Sequence, residues 1–196
     1  MKKAYKTIAW LTVCMITVLI VGCMTTVASV RDATYVDSYK QALQMESIDL
    51  EAASISPEWV SEHFSSIMNH FKSPDVKERT KAAFATKLYF NDTWHTHQTS
   101  DTLGDYLQRT GNKIHAITVL VDDVVISKNN AYVRWNMSII INQGDTPIQS
   151  VGMTHLRFNE DKKIITYQDY WDGIEGFYRT LPVLGGVLEA IRVRLG

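Results

Sequence analysis

Hydrophobic and polar positions change their period once along the folded part of the chain. From Val60 to Phe71, apolar residues recur every three or four positions, which predicts an amphipathic helix. The preceding Ser56-Pro57 predicts its start, because a hydroxyl can cap the first turn and proline fits the first helical position. Ser73-Pro74 predicts the start of a second helix in the same way.

A third helix and a series of strands follow. Leu88–Phe90 predicts a short strand, Ser100 caps the third helix and Gly111 ends it. The pattern then becomes rich in Val, Ile, Thr and aromatic residues, with turn residues between four stretches. They cover residues 114–126, 131–141, 147–158 and 163–172. Four consecutive strands with short connections predict an antiparallel meander.

The order of these elements predicts the fold class and the domain limits. Helices followed by a curved antiparallel sheet indicate an α+β domain over residues 56–180. Residues 23–55 show no sustained period and predict a tether. Residues 181–196 predict a C-terminal amphipathic helix, which either packs across the open end of the domain or lies on lipid.

Residues 1–22 have the organisation of a secretory signal: three lysines, an uncharged apolar stretch and a small residue at the end. The sequence Leu19-Ile20-Val21-Gly22-Cys23 resembles the lipobox of bacterial lipoproteins. The resemblance implies cleavage before Cys23 and attachment of lipid, including palmitate, to that residue. Met24 then favours the outer membrane, facing the periplasm. An uncleaved anchor or an ordinary signal is the alternative interpretation.

Cleavage would change the charge and the thiol content. The whole chain has net charge −1. Removing residues 1–22 deletes three lysines and no acid, which leaves 17 basic and 21 acidic residues, or −4. This balance argues against a nucleic-acid binder. Cys14 would leave with the signal and Cys23 would be acylated, so no free thiol would remain. The chain has no glycine-rich phosphate loop and no Gly-x-Ser-x-Gly motif, and we expect no cofactor.

Two sequence stretches carry a family resemblance. Gly152–Phe158, followed by Asp161 and then by Tyr167–Asp172, resembles the SnoaL-like branch of the nuclear transport factor 2-like family, and Tyr89–Thr93 is similar to a turn of that branch. The resemblance implies a cone-shaped fold, with N-terminal helices packed on a curved antiparallel sheet and a pocket in the concave face. It does not imply one activity, because this fold hosts many functions.

Alternation along the strands selects candidates for that pocket. Trp135 and Met137 share the apolar face of their strand, which we expect to point inward. Two choices remain open for the last two strands, and each joins residues of equal parity. The first is Met153, His155 and Arg157 with Tyr167, Asp169 and Trp171; the second is Thr154, Leu156 and Phe158 with Gln168, Tyr170 and Asp172.

The first choice places ionisable groups among apolar walls. His155 and Asp169 could form a general base and its orienting carboxylate, or a structural pair across two strands. Arg157 would add polarity, and Tyr167 and Trp171 would add walls. Asp92, Tyr89 and His95 lie in or near the loop after the short strand; they could line the pocket mouth, or Asp92 could cap a turn. His95 and His97 alone are weak evidence for zinc, and we expect no metal site.

Three functional hypotheses follow. The first is a lipid-anchored envelope protein that binds a small, mostly apolar molecule in the concave pocket. The second is an isomerase, cyclase or hydratase that transfers protons through Asp92, His155 or Asp169. The third is a non-catalytic domain that binds a partner or forms a homodimer through its sheet.

Overall fold

A computed structural model describes residues 34–180 and 183–195. Contacts divide the chain into two compact units, Met1–Lys40 and Gln41–Gly196. The first unit is described only from Thr34, where it is helical, and the predicted signal with Cys23 lies outside the described residues. Within the described ranges, no helix is long and apolar enough to cross a membrane.

The helices begin close to the predicted capping residues. The Ser56 hydroxyl accepts a hydrogen bond from the Trp59 amide at 3.2 Å, as its sequence position predicted. The third predicted helix is capped one residue early, by Thr99. The helices are α1 (Thr34–Ala42), α2 (Pro57–Met68), α3 (Val76–Ala83), α4 (Ser100–Gly111), α5 (Gly173–Gly176) and α6 (Leu184–Leu195), with a 3-10 turn at Tyr178–Thr180.

Six strands form one sheet. They are β1 (Phe84–Asn91), β2 (Thr96–Thr99), β3 (Ala116–Ser127), β4 (Asn130–Ile140), β5 (Ile148–Phe158) and β6 (Ile164–Trp171). The order is β2-β1-β6-β5-β4-β3, so the last four form the predicted antiparallel meander. The first strand is longer than predicted and pairs with β6 in parallel, which makes the sheet mixed. The predicted α+β class is confirmed.

A β-bulge sets the register between β5 and β6. Phe158 pairs with Ile164, but Arg157 pairs with Thr166, so Ile165 is an extra residue in β6. From there on, each even-numbered residue of β5 faces an odd-numbered residue of β6, as in the pair Thr154 and Asp169. A shift of one residue turns every later side chain to the opposite face. Both parity choices drawn from the sequence therefore described the faces wrongly.

One face of the sheet, here called the inner face, carries the core. Val133, Trp135, Leu156 and Tyr167 are buried on it, together with side chains of the helices that cover it. Helix α2 packs on β3 and β4, while α4 packs on β1 and on α3. The opposite, outer face carries the alternate residues, among them Arg134, Met153 and Tyr170.

Part of the predicted tether belongs to the folded unit. The Ile48 amide donates to the Phe158 carbonyl at 2.9 Å, and Leu50 is fully buried. The Arg157 guanidinium donates to the carbonyl oxygens of Ala42 and Leu43 at 3.1 and 2.8 Å. Residues 41–55 are thus fixed to the domain, which the absence of a clear period did not predict.

Helix α6 contacts the 3-10 turn and buries none of its described side chains. Ion pairs hold it: Arg179 bonds to Glu189 at 3.0 Å, and Arg192 lies 3.5 Å from Glu175. Helix α6 is thus attached to the domain through a charged and largely exposed surface.

Candidate functional site

A carboxyl group lies inside the apolar core on the inner face. Asp169 is 5% exposed and has no ion pair within the described residues. The Thr154 hydroxyl, directly opposite on β5, donates to its Oδ1 at 2.5 Å. The Tyr167 hydroxyl lies 3.2 Å from its Oδ2. Both oxygens of the buried carboxyl therefore have a hydrogen-bond partner, as burial of a polar group requires.

Trp135 fixes the direction of the first of these bonds. Its indole Nε1 donates to the Thr154 hydroxyl oxygen at 2.8 Å, and an indole nitrogen can only donate. The single proton of that hydroxyl is then directed to Oδ1 of Asp169. In the neutral carboxyl, the acid proton consequently belongs on Oδ2, on the side of Tyr167.

Tyr167 can accommodate either charge state of Asp169. Its hydroxyl lies 3.4 Å from the sulfur of Met68, in addition to its contact with Asp169. With the carboxylate ionised, Tyr167 donates to Oδ2. With it neutral, Oδ2 donates to Tyr167, whose own proton turns to the Met68 sulfur, a weak acceptor.

The surroundings favour the neutral form of Asp169. Burial raises the pKa of this carboxyl from 3.8 to about 8; the Thr154 hydrogen bond opposes the rise, the charge of Asp92 adds to it and Tyr167 opposes it. Removing a carboxylate from water without a cation disfavours its charged form. Near neutral pH, Asp169 is thus a protonated acid that can also act as a base.

Asp92 is a second acid, in the loop between β1 and β2. Its Oδ1 accepts from the amides of Trp94 and His95 at 2.9 and 2.7 Å, which is the turn-capping role considered from the sequence. The Tyr106 hydroxyl of α4 donates to its Oδ2. Burial raises the pKa of Tyr106, and the Asp92 charge adds to this rise. Asp92 is therefore held in place as a turn carboxylate.

Two tryptophans lie side by side above Gly152. A Cβ atom at Gly152 would come within 2.5 Å of the Trp135 ring and 2.9 Å of the Trp171 Cβ, so only glycine permits this packing. The Trp171 indole donates to the Asp92 carbonyl at 3.1 Å and to the Thr93 hydroxyl at 2.6 Å. Trp94 stacks on Trp171 with 6.1 Å between ring centroids. Since Trp171 and Met137 are only partly buried, they form the outer rim of the inner face.

The proposed pair of His155 and Asp169 is wrong, because the two side chains lie on opposite faces. His155 pairs with Gln168 on the outer face, where its Nε2 meets the Asn130 side-chain oxygen at 2.9 Å. Its ring stacks on Tyr132. Burial lowers the pKa of His155 to about 4, and the Arg157 charge also lowers it. His155 is a buried neutral group that has no contact with the acid.

Two further candidates also face outward. Arg157 binds main-chain carbonyls of residues 42 and 43, and its second nitrogen donates to the Ser47 hydroxyl at 2.5 Å. The Tyr89 hydroxyl donates to the Gln168 side chain at 2.9 Å. Neither residue lines the inner face, because both occupy strand positions adjacent to outward-facing partners. Of the predicted pocket residues, Trp135, Met137, Tyr167, Asp169 and Trp171 are brought together.

His95, in the loop before β2, and His97, on β2, lie beside Tyr106. Their ring centroids are 4.7 Å and 4.9 Å from that of Tyr106 for His95 and His97 respectively. Over the part of the chain that the structure describes, no three His, Cys, Asp or Glu side chains are grouped so as to hold a metal ion. His155 is on the outer face and cannot complete such a set with them.

Thr154, Tyr106 and Met68 were not singled out as site residues from the sequence. Thr154 stood in the second parity choice. The available signal was a hydroxyl side chain at the start of a run of buried residues, where it needs a hydrogen-bond partner. Nothing in the local sequence of Tyr106 or Met68 indicates a polar contact, because both lie on helices whose periods predict core positions.

Comparisons with known proteins support the fold. A model of the SnoaL-like domain matches residues 64–167. An NTF2-like protein of unknown function from Exiguobacterium sp. 255-15 is 13% identical, with a TM-score of 0.50, and the match covers 57% of this chain and 96% of that one. An LEH-like epoxide hydrolase of M. tuberculosis is 14% identical, with a TM-score of 0.51 and coverage of 71% and 96%.

A third solved structure is a protein with a ketosteroid isomerase-like fold from Catenulispora acidiphila, in complex with trimethylamine. It is 16% identical, with a TM-score of 0.52, and the match covers 59% of this chain and 88% of that one. At these identities the likeness concerns the fold alone, and it confirms the predicted fold class. A search of curated proteins finds no significant match.

The raised pKa of Asp169 predicts a dependence of stability on pH. Between pH 4 and about 8, the folded state holds a proton on Asp169 that the unfolded state has released, so stability falls as pH rises. The slope is at most about 1.4 kcal/mol per pH unit. His63, His97 and His155, whose pKa values are lowered by burial, have the opposite effect, which fades over about one pH unit above their ordinary pKa of 6.5. The contribution of Asp169 is therefore read from the difference between wild type and Asp169→Asn in urea unfolding between pH 6.5 and 8.

We expect Asp169→Asn to remove this slope, because the amide does not titrate. The exposed Asp161→Asn is the matched control and should keep the wild-type slope. Equal slopes for wild type and Asp169→Asn over this range would show that the buried carboxyl is already ionised at pH 6.5.

Proposed function

The chain belongs to the SnoaL-like domain family, and we propose that it binds a small, mostly apolar molecule against the inner face of its sheet. The observation that carries this proposal is the Asp169 carboxyl, buried within an aromatic and aliphatic interior without an ion pair to the described residues, where burial raises its pKa. Ligand sites commonly combine apolar walls with a few convergent polar groups. Asp169 would supply the hydrogen bond that orients an oxygen atom of the ligand.

The walls of the proposed site are Trp135, Tyr167, Met137 and Trp171, all of which pack on the core of the inner face. Tyr167 stacks on Phe90 with 4.6 Å between ring centroids, so its ring is fixed. Aromatic side chains offer large apolar surfaces with few rotatable bonds. This composition favours a ligand with an apolar or aromatic body.

Entry to the site requires a side chain of the rim to move, because Asp169, Trp135 and Tyr167 are at most 5% exposed. Trp171 is the best candidate, because it is only partly buried at the rim. Only two hydrogen bonds to the loop of Asp92 and Thr93 and stacking on Trp94 would have to break. Such contacts are modest, at about 0.5–1.5 kcal/mol each. A ligand that stacks on Trp171 would compensate for their loss.

The proposal includes a lipid anchor at Cys23, which the lipobox-like Leu19–Cys23 supports. Acylation would hold the domain at the outer membrane, facing the periplasm, as Met24 favours.

Radiolabelled palmitate tests the anchor. We expect Cys23→Ser to abolish incorporation, because no other thiol is left after cleavage, and Cys14→Ser to leave it unchanged. Unchanged membrane retention and labelling in Cys23→Ser would refute the lipobox.

An enzyme that moves a proton within a bound molecule is a second candidate. It is favoured by a buried acid with a pKa of about 8, which lies close enough to neutral pH to gain and lose a proton, and by the second carboxylate Asp92, whose charge raises that pKa. An isomerase, cyclase or hydratase would use such a group. Conversion of the extracted ligand by wild type and not by Asp169→Asn would support catalysis; equal recovery from both would oppose it.

The outer face favours a third candidate, a homodimer or another partner complex. Leu120, Val151, Met153 and Tyr170 are between 41% and 64% exposed and lie on the outer face of β3, β5 and β6. A cluster of exposed apolar side chains is a common feature of protein interfaces. Sedimentation that shows a monomer for both wild type and Val151→Lys would exclude the homodimer.

Ligand retention tests the main proposal. Protein purified from native membranes should carry a small apolar molecule, measured by extraction and mass spectrometry. We expect Trp171→Ala and Asp169→Asn each to lower its amount about tenfold, the loss that corresponds to about 1.4 kcal/mol.

His155→Gln is the matched control, because His155 is equally buried but faces outward. It should retain the molecule at the wild-type level. A ligand lost from His155→Gln and kept by Asp169→Asn, or no enriched molecule at all, would contradict binding on the inner face.

A further inference from the structure

The apolar side chains of helix α6 face solvent, and none of those described is buried. Val187 and Ile191 are about half exposed, and Val193 and Leu195 are 74% and 83% exposed. Leu184 and the preceding Val183 extend the same surface. Six of the fourteen large hydrophobic side chains described as exposed thus lie within residues 183–195. A helix that is apolar on most sides normally has a partner.

The attachment of α6 leaves this surface open. Arg179 bonds to both Glu175 and Glu189, and Arg192 reaches Glu175 as well. A groove of about 470 Å³ separates the helix from residues 174–179, with Ile174, Leu188, Ile191 and Leu195 among its walls. The helix is thus packed closely on Arg179 at Gly185, while Ile191 and Leu195 farther along remain exposed.

The charges around α6 differ in sign from those of the domain. Residues 173–195 contain two acids, Glu175 and Glu189, and three arginines, which gives +1, whereas the chain from Cys23 onward has −4. Both acids are neutralised by ion pairs. Arg194 is exposed and makes no ion pair with the described residues. A cationic and apolar helix complements an anionic lipid surface.

We infer that α6 lies in the headgroup region of an anionic bilayer, with Val187 and Ile191 among the acyl chains and Arg194 at the phosphates. This inference rests on the proposed anchor at Cys23. Twelve helical residues rise about 18 Å, too short to cross the hydrocarbon core, so α6 lies along the surface. Interfacial helices gain affinity from buried apolar area and from the attraction between basic side chains and anionic lipid.

Because the proposed anchor already holds the domain at the membrane, a weak affinity of α6 for lipid is sufficient to keep the helix on the surface. Ten residues, Met24–Ala33, separate Cys23 from the first described residue and span at most about 35 Å. A short tether raises the effective concentration of the anchored domain at the same membrane. Trp94, at 45% exposed, and Tyr178 stack beside α5 and provide side chains that favour the membrane interface.

Contact with lipid is tested by quenching of a fluorophore. The full-length gene, with Cys14→Ser and Val187→Cys, yields protein that is purified from membranes, labelled with bimane and placed in vesicles of phosphatidylglycerol and brominated phosphatidylcholine. We expect the bromine atoms to reduce the emission about twofold, because buried apolar side chains reach the acyl boundary. The Val187 side chain is 50% exposed, so the substitution should preserve the fold.

Glu160→Cys is the matched control. Glu160 is exposed in the turn after β5, whereas α5 contacts the beginning of that strand. β5 is about 33 Å long, so this label should not be quenched. Arg194→Glu, or vesicles without phosphatidylglycerol, should reduce the quenching at Val187 toward that of the control.

Quenching that is equal at the two positions, or absent from both, would overturn the inference. A label at Val187 that is shielded from water but not quenched, with cross-linked dimers in the same sample, would assign the surface to a second copy and overturn it too. The mass of the N-terminal peptide tests the anchor separately: an unacylated Cys23 refutes the anchor whatever the quenching shows.

Discussion

One extra residue in β6 determines which side chains meet in the interior. Ile165 separates the pair Phe158 and Ile164 from the pair Arg157 and Thr166, and the shift places Thr154 opposite Asp169. Without it, the register of Phe158 and Ile164 would continue, even-numbered residues of both strands would share the inner face, and Gln168 instead of Asp169 would lie opposite Thr154. With it, the inner face carries one carboxyl group, the hydroxyl groups of Thr154 and Tyr167, and aromatic rings. The bulge thereby decides the chemistry of the site.

The buried carboxyl is tolerated because its hydrogen bonds are complete and its charge is suppressed. An unpaired carboxylate in an apolar interior costs several kcal/mol, and a neutral carboxyl with two partners avoids most of that cost. The Thr154 hydroxyl, fixed by Trp135, donates to Asp169 in both charge states of the carboxyl. The Tyr167 hydroxyl donates to the ionised carboxylate, and it accepts from the neutral acid while its own proton turns to the Met68 sulfur. The interior can therefore hold an acid without a cation, and the same property makes that acid available to a ligand.

The sequence predicted the elements better than their register. Caps such as Ser56 and the strand pattern after residue 114 are local signals, and they led to the helices, the meander and the fold class. The bulge at Ile165 leaves no local signal in the sequence. The first six residues of β6 are all buried, so they show no apolar–polar alternation whose break would mark it. Trp135, Met137 and Trp171 lie on one face of the sheet and pack on the core, while their role as walls of a ligand site stays a prediction. His155 and Arg157 were assigned to the same face as Asp169 because the β5–β6 register was assumed to be unbroken. The bulge makes this assignment wrong.

The titration of Asp169 tests the central claim most directly. Carbon-13 NMR of the side-chain carboxyl reports its protonation, and the spectrum is followed from pH 3 to pH 10 with Asp169→Asn to assign the signal. A buried carboxyl held by Thr154 and Tyr167 should titrate with a pKa of about 8. A midpoint near the ordinary value of 3.8 would contradict a neutral acid on the inner face, and with it the proposed site.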